Sequence, residues 1–337
     1  MLCRPRKGDT GQSLPFVSVL VFREHRGSDG CSHETASEIL CAPLLHAALG
    51  VNVALPLPMF GLFVALAVAI AASVFTQDAR RAEAFGRLPV DAHQVASDLT
   101  IVTLFAGLVG ARLFHVLDHW DDFLQNPGSL IFTRSGFSIY GGLCFGALAG
   151  MLLVRWRGLP VVPILDAVAP ALMLAYAIGR IGCQVSGDGD WGIPSDMTLK
   201  PGWLPTWFWA QTYEGNIVEA VLPPPGVYPT PIYETIAALL TFAVLRRWAQ
   251  RQRPPGNVFF LYLLFTGFER LLIEKIRLNP RFALLDVTVF TQAELISVLL
   301  IPIGIAGLLK TLPAQRKWLR YGTLLGMLAL LSACVAL

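Results

Sequence analysis

The residues best suited to chemistry in this sequence are arginines set in apolar surroundings. Arg180 closes a strongly apolar run and opens the segment GRIGCQVSGDGDWG. An arginine deep in a membrane-spanning helix costs about 2.5 to 3.5 kcal/mol, so it is rarely kept without a partner or a ligand. Arg112, in LVGARLFHVL, and Arg270, in FERLLIEKIR, have similar surroundings. These three arginines are the first candidates for a functional site.

Acidic and amide side chains in the same surroundings are candidate partners of these arginines. Arg270 and Glu274 are four residues apart, so they share one face of a helix and could pair there. For any single arginine, a carboxylate partner and an anionic ligand remain alternatives. The other candidate partners are Glu234 in YPTPIYE, Asp188 and Asp190 in the turn after Arg180, and Gln292 at the start of an apolar run.

Taken together, three arginines from three apolar segments are better explained by an anionic ligand than by separate ion pairs. Guanidinium binds phosphate through two parallel hydrogen bonds. The abundant phosphate of a membrane surface is the headgroup of a phospholipid. The sequence therefore predicts a lipid-binding cleft.

The composition indicates an integral membrane protein. Of the 337 residues, 54% are hydrophobic and only 15% are charged, and the mean hydropathy is +0.58. Such values are far more apolar than a soluble domain needs. The net charge of +3 is spread through loops and indicates no nucleic-acid surface. Apolar stretches that approach the length needed to cross about 30 Å of hydrocarbon lie at 55–75, 99–117, 137–154, 164–182, 232–245, 258–276, 293–309 and 321–337.

We expect these stretches to be helices, because they are continuous rather than alternating as in a membrane barrel. The predicted fold class is all-α, a polytopic transmembrane helical bundle. Residues 44–310 would form the membrane domain, preceded by a polar extension at 1–43 and followed by an extra span within 311–337. Six cysteines show neither metal-ligand spacing nor a disulfide framework, so no metal is expected.

Basic residues predict the orientation of the chain. They follow the first, third, fifth and seventh spans, and such loops remain in the cytoplasm. Arg180 would then lie near the outer face of the membrane. The segment 186–229 on that side carries Trp191, Trp203, Trp207 and Trp209, which is typical of an arm in the headgroup region.

Several motifs, in order along the chain, resemble those of prolipoprotein diacylglyceryl transferases. The segment GRIGCQVSGDGDWG is similar to the family signature around its arginine and Trp-Gly. The segments SIYGGL, ILDAVAP, YPTPIYE and RLLIEKIR resemble further family motifs, and the resemblance covers roughly residues 55–309. It implies a seven-span fold with the N-terminus outside, so 321–337 would be an eighth span.

The resemblance implies an activity. Family members move the diacylglyceryl group of phosphatidylglycerol to the lipobox cysteine of a prolipoprotein, within the lipid bilayer and without a metal or a diffusible cofactor. The implied catalytic residues are Arg180, Arg270 and Tyr140. The implied substrate-binding residues are Arg112, Gly141, Gly142, Asp188, Tyr233, Glu234, Glu274 and Gln292.

Four positions depart from the family pattern. Tyr140 stands where the family has a histidine before paired glycines, and Cys183 stands where it has an asparagine. Phe60 and Thr266 each replace a family tyrosine, and the turn GDGDWG is one residue longer. The resemblance therefore does not identify the group that accepts the thiol proton.

Tyrosine has an ordinary pKa of about 10, so Tyr140 would be a poor base at neutral pH and could instead orient the headgroup. Asp188 or Glu274 could take the proton, or the thiol could ionise without a dedicated base. A non-catalytic lipid-binding or lipid-transport protein, and a transferase with another thiol or lipid, are the alternative functions.

Overall fold

The computed structural model describes residues 59–88, 91–125, 128, 138–222, 224–277, 281–284 and 287–311. The predicted extension at 1–43 and the predicted eighth span at 321–337 lie outside these residues. Within them, the chain is built mainly from helices. In chain order these are α1 (Met59–Ala84), α2 (Ala92–Asp118), α3 (Trp120–Gln125), α4 (Ile139–Trp156), α5 (Val161–Ser186), α6 (Thr206–Trp209), α7 (Thr230–Ala249), α8 (Asn257–Glu274) and α9 (Gln292–Thr311).

Five of these helices, α1, α2, α4, α5 and α9, are long and apolar enough to cross a membrane. This agrees with the predicted polytopic all-α fold. Helices α7 and α8 have 20 and 18 residues but contain more charge. Part of that charge, in Glu234 of α7 and in Glu269, Arg270 and Glu274 of α8, lies within the predicted spans.

The long helices pack as a set of neighbouring pairs. Helix α1 packs on α5, α2 on α4, α5 on α7, and α8 on α9, while α2 and α4 reach the rest of the bundle mainly through α1. Buried apolar side chains of α5 and α7, including Met173, Ala177 and Ala238, form a core beneath the arginine segment. The membrane-facing surface is apolar as well, as expected for a chain with lipid as its solvent.

The α2–α4 contact depends on glycines. A Cβ atom added at Gly141 would lie 2.2 Å from the carbonyl oxygen of Gly110, so the two backbones touch there. Gly142, Gly146 and Gly150 also face α2, with added Cβ atoms 2.9–3.4 Å from their nearest neighbours. Small residues that allow such close approach are a known means of helix association in membranes.

The arm predicted at residues 186–229 folds back on the helix ends. It includes a 3-10 turn (Met197–Leu199) and α6, and its backbone pairs at Gln211 with Val227. The side chains of Trp203 and Trp207 are 82% and 60% exposed, which fits the predicted interfacial position. A small addition to the predicted all-α fold is an antiparallel hairpin of β1 (Arg281–Leu284) and β2 (Val287–Thr291) between α8 and α9.

Candidate active site

The turn after α5 brings an aspartate back onto the arginine of the same helix. Helix α5 ends at Ser186, and Gly187 adopts the left-handed conformation (φ +61°) with its N–H donating to the carbonyl oxygen of Cys183 at 3.0 Å. A Cβ at Gly187 would be strained and would lie 2.7 Å from the Cβ of Asn216. The reversal of the chain at this glycine places Asp190 against Arg180.

Two arginines and two carboxylates form a closed ring at this end of the bundle, which we call the arginine ring. The Nε atom of Arg180 lies 2.5 Å from Oε2 of Glu234, and its Nη1 donates to Asp190. Arg277, just after α8, mirrors this arrangement: Nη1 lies 3.2 Å from Oε1 of Glu234 and Nη2 donates to Asp190. Each carboxylate thus joins both guanidinium groups.

The arginine ring is buried. Glu234 is fully buried, and the side chains of Arg180 and Arg277 are 12% and 6% exposed. Buried ion pairs are favourable only when each charge is well satisfied, because taking the charges out of water is costly. In the ring, each carboxylate lies between two guanidinium groups, so every charge has two partners of opposite sign and both arginines are held in position.

Arg270 lies next to the ring but is held more loosely. Its Nη1 is 3.8 Å from Oε2 of Glu234 and 3.5 Å from the hydroxyl oxygen of Tyr176, and its side chain is 26% exposed. The Tyr176 hydroxyl itself donates to Glu234, and the Arg180 guanidinium lies 5.0 Å from the centre of the Tyr176 ring. Arg270 therefore keeps donors for another acceptor.

The arginine ring and Arg270 together carry a positive excess. Arg180, Arg270 and Arg277 carry three positive charges against the two negative charges of Glu234 and Asp190. An anion of one negative charge would neutralise the group. A phosphodiester is such an anion, and it accepts hydrogen bonds from guanidinium in the required geometry.

The two aspartates of the turn are in different electrostatic environments. Burial would raise the pKa of Asp190, yet Arg180 and Arg277 outweigh it and lower that pKa below its usual value. Burial raises the pKa of Asp188, and the neighbouring Asp190 adds to the effect. Asp188 accepts from the backbone N–H of Asp190 at 3.2 Å and from the thiol of Cys183.

The thiol of Cys183 and the carboxylates of Asp188 and Asp190 lie within 4.8 Å of one another, a spacing that could suit a cation. Both oxygens of Asp190, however, accept from guanidinium groups. Positive charge at the same place opposes a metal ion. We therefore interpret the cluster as the support that orients Asp190 towards the arginines.

The structure brings together Arg180, Arg270 and Glu234 from three helices. The third predicted arginine, Arg112, lies on α2, which contacts the rest of the bundle mainly through α1. Of the two aspartates, Asp190 is the one that binds arginine. Arg270 is directed to Tyr176 of α5 and Glu234 of α7, and its pairing with Glu274 stays a prediction.

The other predicted site residues lie outside the arginine ring. The hydroxyl of Tyr233 donates to the carbonyl oxygen of Phe208 in the arm at 2.7 Å. Glu274 is buried near the end of α8, and Gln292 begins α9, where its side chain is not described. The predicted residues of the α2–α4 pair are Arg112, Tyr140, Gly141 and Gly142, with Gly141 in the interhelical contact.

Two participants were missed as site residues. Tyr176 lies four residues before Arg180 and Arg277 lies seven after Arg270, so helical periodicity could have placed each on the same side as its arginine. Tyr176 stands among apolar residues in the sequence and therefore was not distinguished as a site residue. Arg277 resembled an ordinary interfacial arginine at a helix end.

Comparison with known proteins now adds independent evidence. The family model of prolipoprotein diacylglyceryl transferase matches residues 47–310, which include every residue of the arginine ring. This chain belongs to that family. The predicted resemblance is thereby confirmed.

Individual members of the prolipoprotein diacylglyceryl transferase family agree. The phosphatidylglycerol–prolipoprotein diacylglyceryl transferase of Leptospira interrogans is 30% identical over 258 residues, which cover 63% of this chain and 78% of the relative. The protein of that name from Parasynechococcus marenigrum is 30% identical over 233 residues, covering 67% and 78%. The one from Enterococcus faecalis is 33% identical over 206 residues, covering 59% and 70%.

Proposed function

We propose that this chain transfers the diacylglyceryl group of phosphatidylglycerol to the lipobox cysteine of a prolipoprotein, which is the first step of bacterial lipoprotein maturation. The observation that carries the proposal is the positive excess of the arginine ring and Arg270. Two arginines are fixed by carboxylates, and the third is loosely held and partly exposed. This is a site prepared for one phosphodiester.

The chemistry suits these residues. The cysteine thiolate attacks the glyceryl carbon, a C–S bond forms, and the C–O bond to the phosphate breaks. Negative charge grows on the departing glycerol phosphate, and fixed cations beside it stabilise the transition state more than the bound lipid. We assign Arg270 to the phosphate directly and Arg180 to the wall of the site, held by Glu234 and Asp190.

The remaining predicted residues receive supporting roles in the proposal. Tyr140 and Arg112, from the α2–α4 pair, would orient the glycerol headgroup or the incoming peptide, with Gly141 and Gly142 allowing the close approach of α2. Tyr233, Asp188, Glu274 and Gln292 would shape the surroundings of the arginines.

We also propose that the site faces the periplasm across a bacterial inner membrane. Basic residues concentrate at the opposite ends of the helices, in Arg80 and Arg81 of α1 and Arg246 and Arg247 of α7. They would remain in the cytoplasm. The exposed tryptophans of the arm would then lie in the outer headgroup region, where lipid and secreted precursor meet.

A transfer assay tests the proposal. Purified protein is mixed with phosphatidylglycerol vesicles and a peptide bearing a lipobox cysteine, and the products are analysed by mass spectrometry. We expect the peptide to gain one diacylglyceryl group, and we expect the Arg270→Ala variant to lose this product. A folded wild-type protein that binds the lipid without modifying the peptide would contradict the proposal and favour a lipid-binding function.

A further inference from the structure

One buried carboxylate beside the arginine ring takes no part in it. Glu269 is only 7% exposed, and among the described residues neither of its side-chain oxygens has a hydrogen-bond partner. A buried polar group without a partner is costly, and an unpaired carboxylate is especially so. Its presence one residue before Arg270 calls for a functional explanation.

Glu269 faces the interior side of α8. The opposite face of this helix packs on α9, where a Cβ added at Gly267 would lie 2.7 Å from Cγ1 of Ile301. Thr266, three residues before Glu269, lies 3.8 Å from the sulfur of Met173 in α5. Residues three apart share a helix face, so Glu269 is directed towards α5.

The groups that act on Glu269 come from the three helices that meet there. They are Arg180 of α5, Glu234 of α7 and its own neighbour Arg270, with Tyr262 two turns earlier on α8. Glu269 thus belongs to the same electrostatic environment as the proposed phosphate site. Among the described residues, it has no ion pair of its own there.

The other carboxylates of the ring are poorly placed to accept a proton. Glu234 already accepts from Arg180, Arg277 and Tyr176, and Asp190 accepts from both ring arginines. Protonating either would break a buried ion pair at a cost of several kcal/mol. Glu269 can gain a proton without losing any such bond.

We propose that Glu269 is the proton acceptor for the cysteine thiol, an inference that rests on the proposed transfer function. The S–H proton moves to a Glu269 oxygen while sulfur attacks the glyceryl carbon. The C–S bond forms as the C–O bond to the phosphate breaks. The proton then passes from Glu269 to the released glycerol phosphate, whose second pKa is about 6. Every atom and charge is accounted for, and the carboxylate returns to its starting state.

The charge count favours this sequence. Ionised Glu269 offsets the positive excess of the arginine ring and Arg270, so the three arginines, the three carboxylates and the bound phosphodiester sum to one negative charge. Transfer of the thiol proton to Glu269 keeps that sum while moving the negative charge onto sulfur. The developing phosphate dianion is then beside both the arginines and an acid that can protonate it.

A comparison of two nucleophiles, a thiol and a selenol, distinguishes a proton-accepting role of Glu269 from a structural role. A selenol is already ionised at neutral pH and needs no base, whereas a thiol is mostly protonated. We compare single-turnover transfer to matched peptides carrying cysteine or selenocysteine. In the Glu269→Gln variant we expect the cysteine rate to fall by about 10²- to 10⁴-fold, the usual contribution of general base catalysis, and the selenocysteine rate to stay near that of the wild type.

The control is Glu214→Gln, the same change at an exposed glutamate of the arm, which should leave both rates unchanged. Equal slowing of the two peptides by Glu269→Gln, or no slowing of either, would overturn the role of Glu269 while leaving the transfer function intact. Absence of transfer by the wild type with both peptides would instead refute the transfer function itself.

A second measurement uses only the wild-type protein, in case the glutamine variant does not fold. If a base removes the thiol proton during the chemical step, transfer to cysteine should slow in D2O, whereas transfer to selenocysteine should not. A cysteine rate that does not slow in D2O would contradict transfer of the thiol proton to Glu269 during the chemical step.

Discussion

Removal of Arg180 and removal of Arg270 should affect stability very differently, although both should strongly slow transfer. Arg180 bonds both carboxylates of the ring and is 12% exposed, whereas Arg270 has one carboxylate at 3.8 Å and is 26% exposed. Arg180→Ala leaves Glu234 and Asp190 buried with Arg277 as their remaining ring cation.

Breaking a buried ion pair by removing one partner costs about 3 to 5 kcal/mol. A long, partly exposed pair contributes at most about 1 kcal/mol. We therefore expect Arg180→Ala to lower the free energy of unfolding by several kcal/mol, and Arg270→Ala to change it little. For transfer, loss of a cation beside the leaving phosphate should cost about 10²- to 10³-fold, as for other fixed donors in active sites.

The two variants would be compared by reversible unfolding in detergent and by the peptide transfer assay. Arg270→Lys is the matched control, because it retains the charge but loses the two-pronged geometry, and it should recover only part of the rate. Full transfer by Arg270→Ala, or a loss of stability as large as that of Arg180→Ala, would refute the distinction between a phosphate-binding arginine and a ring arginine.

Three further predictions concern other parts of the site. Tyr140→His should retain a folded protein and transfer activity, as assayed with the lipobox peptide, and a folded but inactive variant would show that this position does not face the substrate. Gly141→Ala should destabilise the protein by about 1 to 3 kcal/mol through overpacking against α2, whereas Gly179→Ala, with open space around it, is the control that should not, as measured by thermal unfolding. The pKa of Asp190 is lowered on folding, so its ionised carboxylate stabilises the folded protein above the unfolded pKa of about 3.9. This stabilisation is lost as the pH falls through the folded pKa. When unfolding is measured from pH 7 to pH 3, the free energy of unfolding should therefore fall less for Asp190→Asn than for the wild type.

The sequence was sufficient to predict most of the fold and the centre of the site. Continuous apolar runs predicted every long helix among the described residues, because a backbone in lipid must satisfy its hydrogen bonds within the helix. The cost of charge in such runs identified Arg180, Arg270 and Glu234, which the structure brings together.

The pairing within the site was harder to predict, because it depends on turns and on contacts between distant segments. The left-handed Gly187 decides that Asp190 rather than Asp188 reaches the arginines. Arg277 joins the ring only because the chain beyond α8 is paired with the segment after α5. Neither hydrophobicity nor residue spacing encodes such a contact.

The backbone contact between Gly192 and Arg277 has a consequence for how the protein can be altered. The N–H of Ile193 donates to the carbonyl oxygen of Ile276 at 2.8 Å, and that of Gly192 to Tyr228 at the same distance. Main-chain bonds of this kind do not depend on side-chain identity. The part of the arm that carries Trp203 and Trp207 is therefore open to sequence change without displacing the arginines. Gly192 itself is the exception, since a Cβ there would lie 2.5 Å from the Ile276 oxygen.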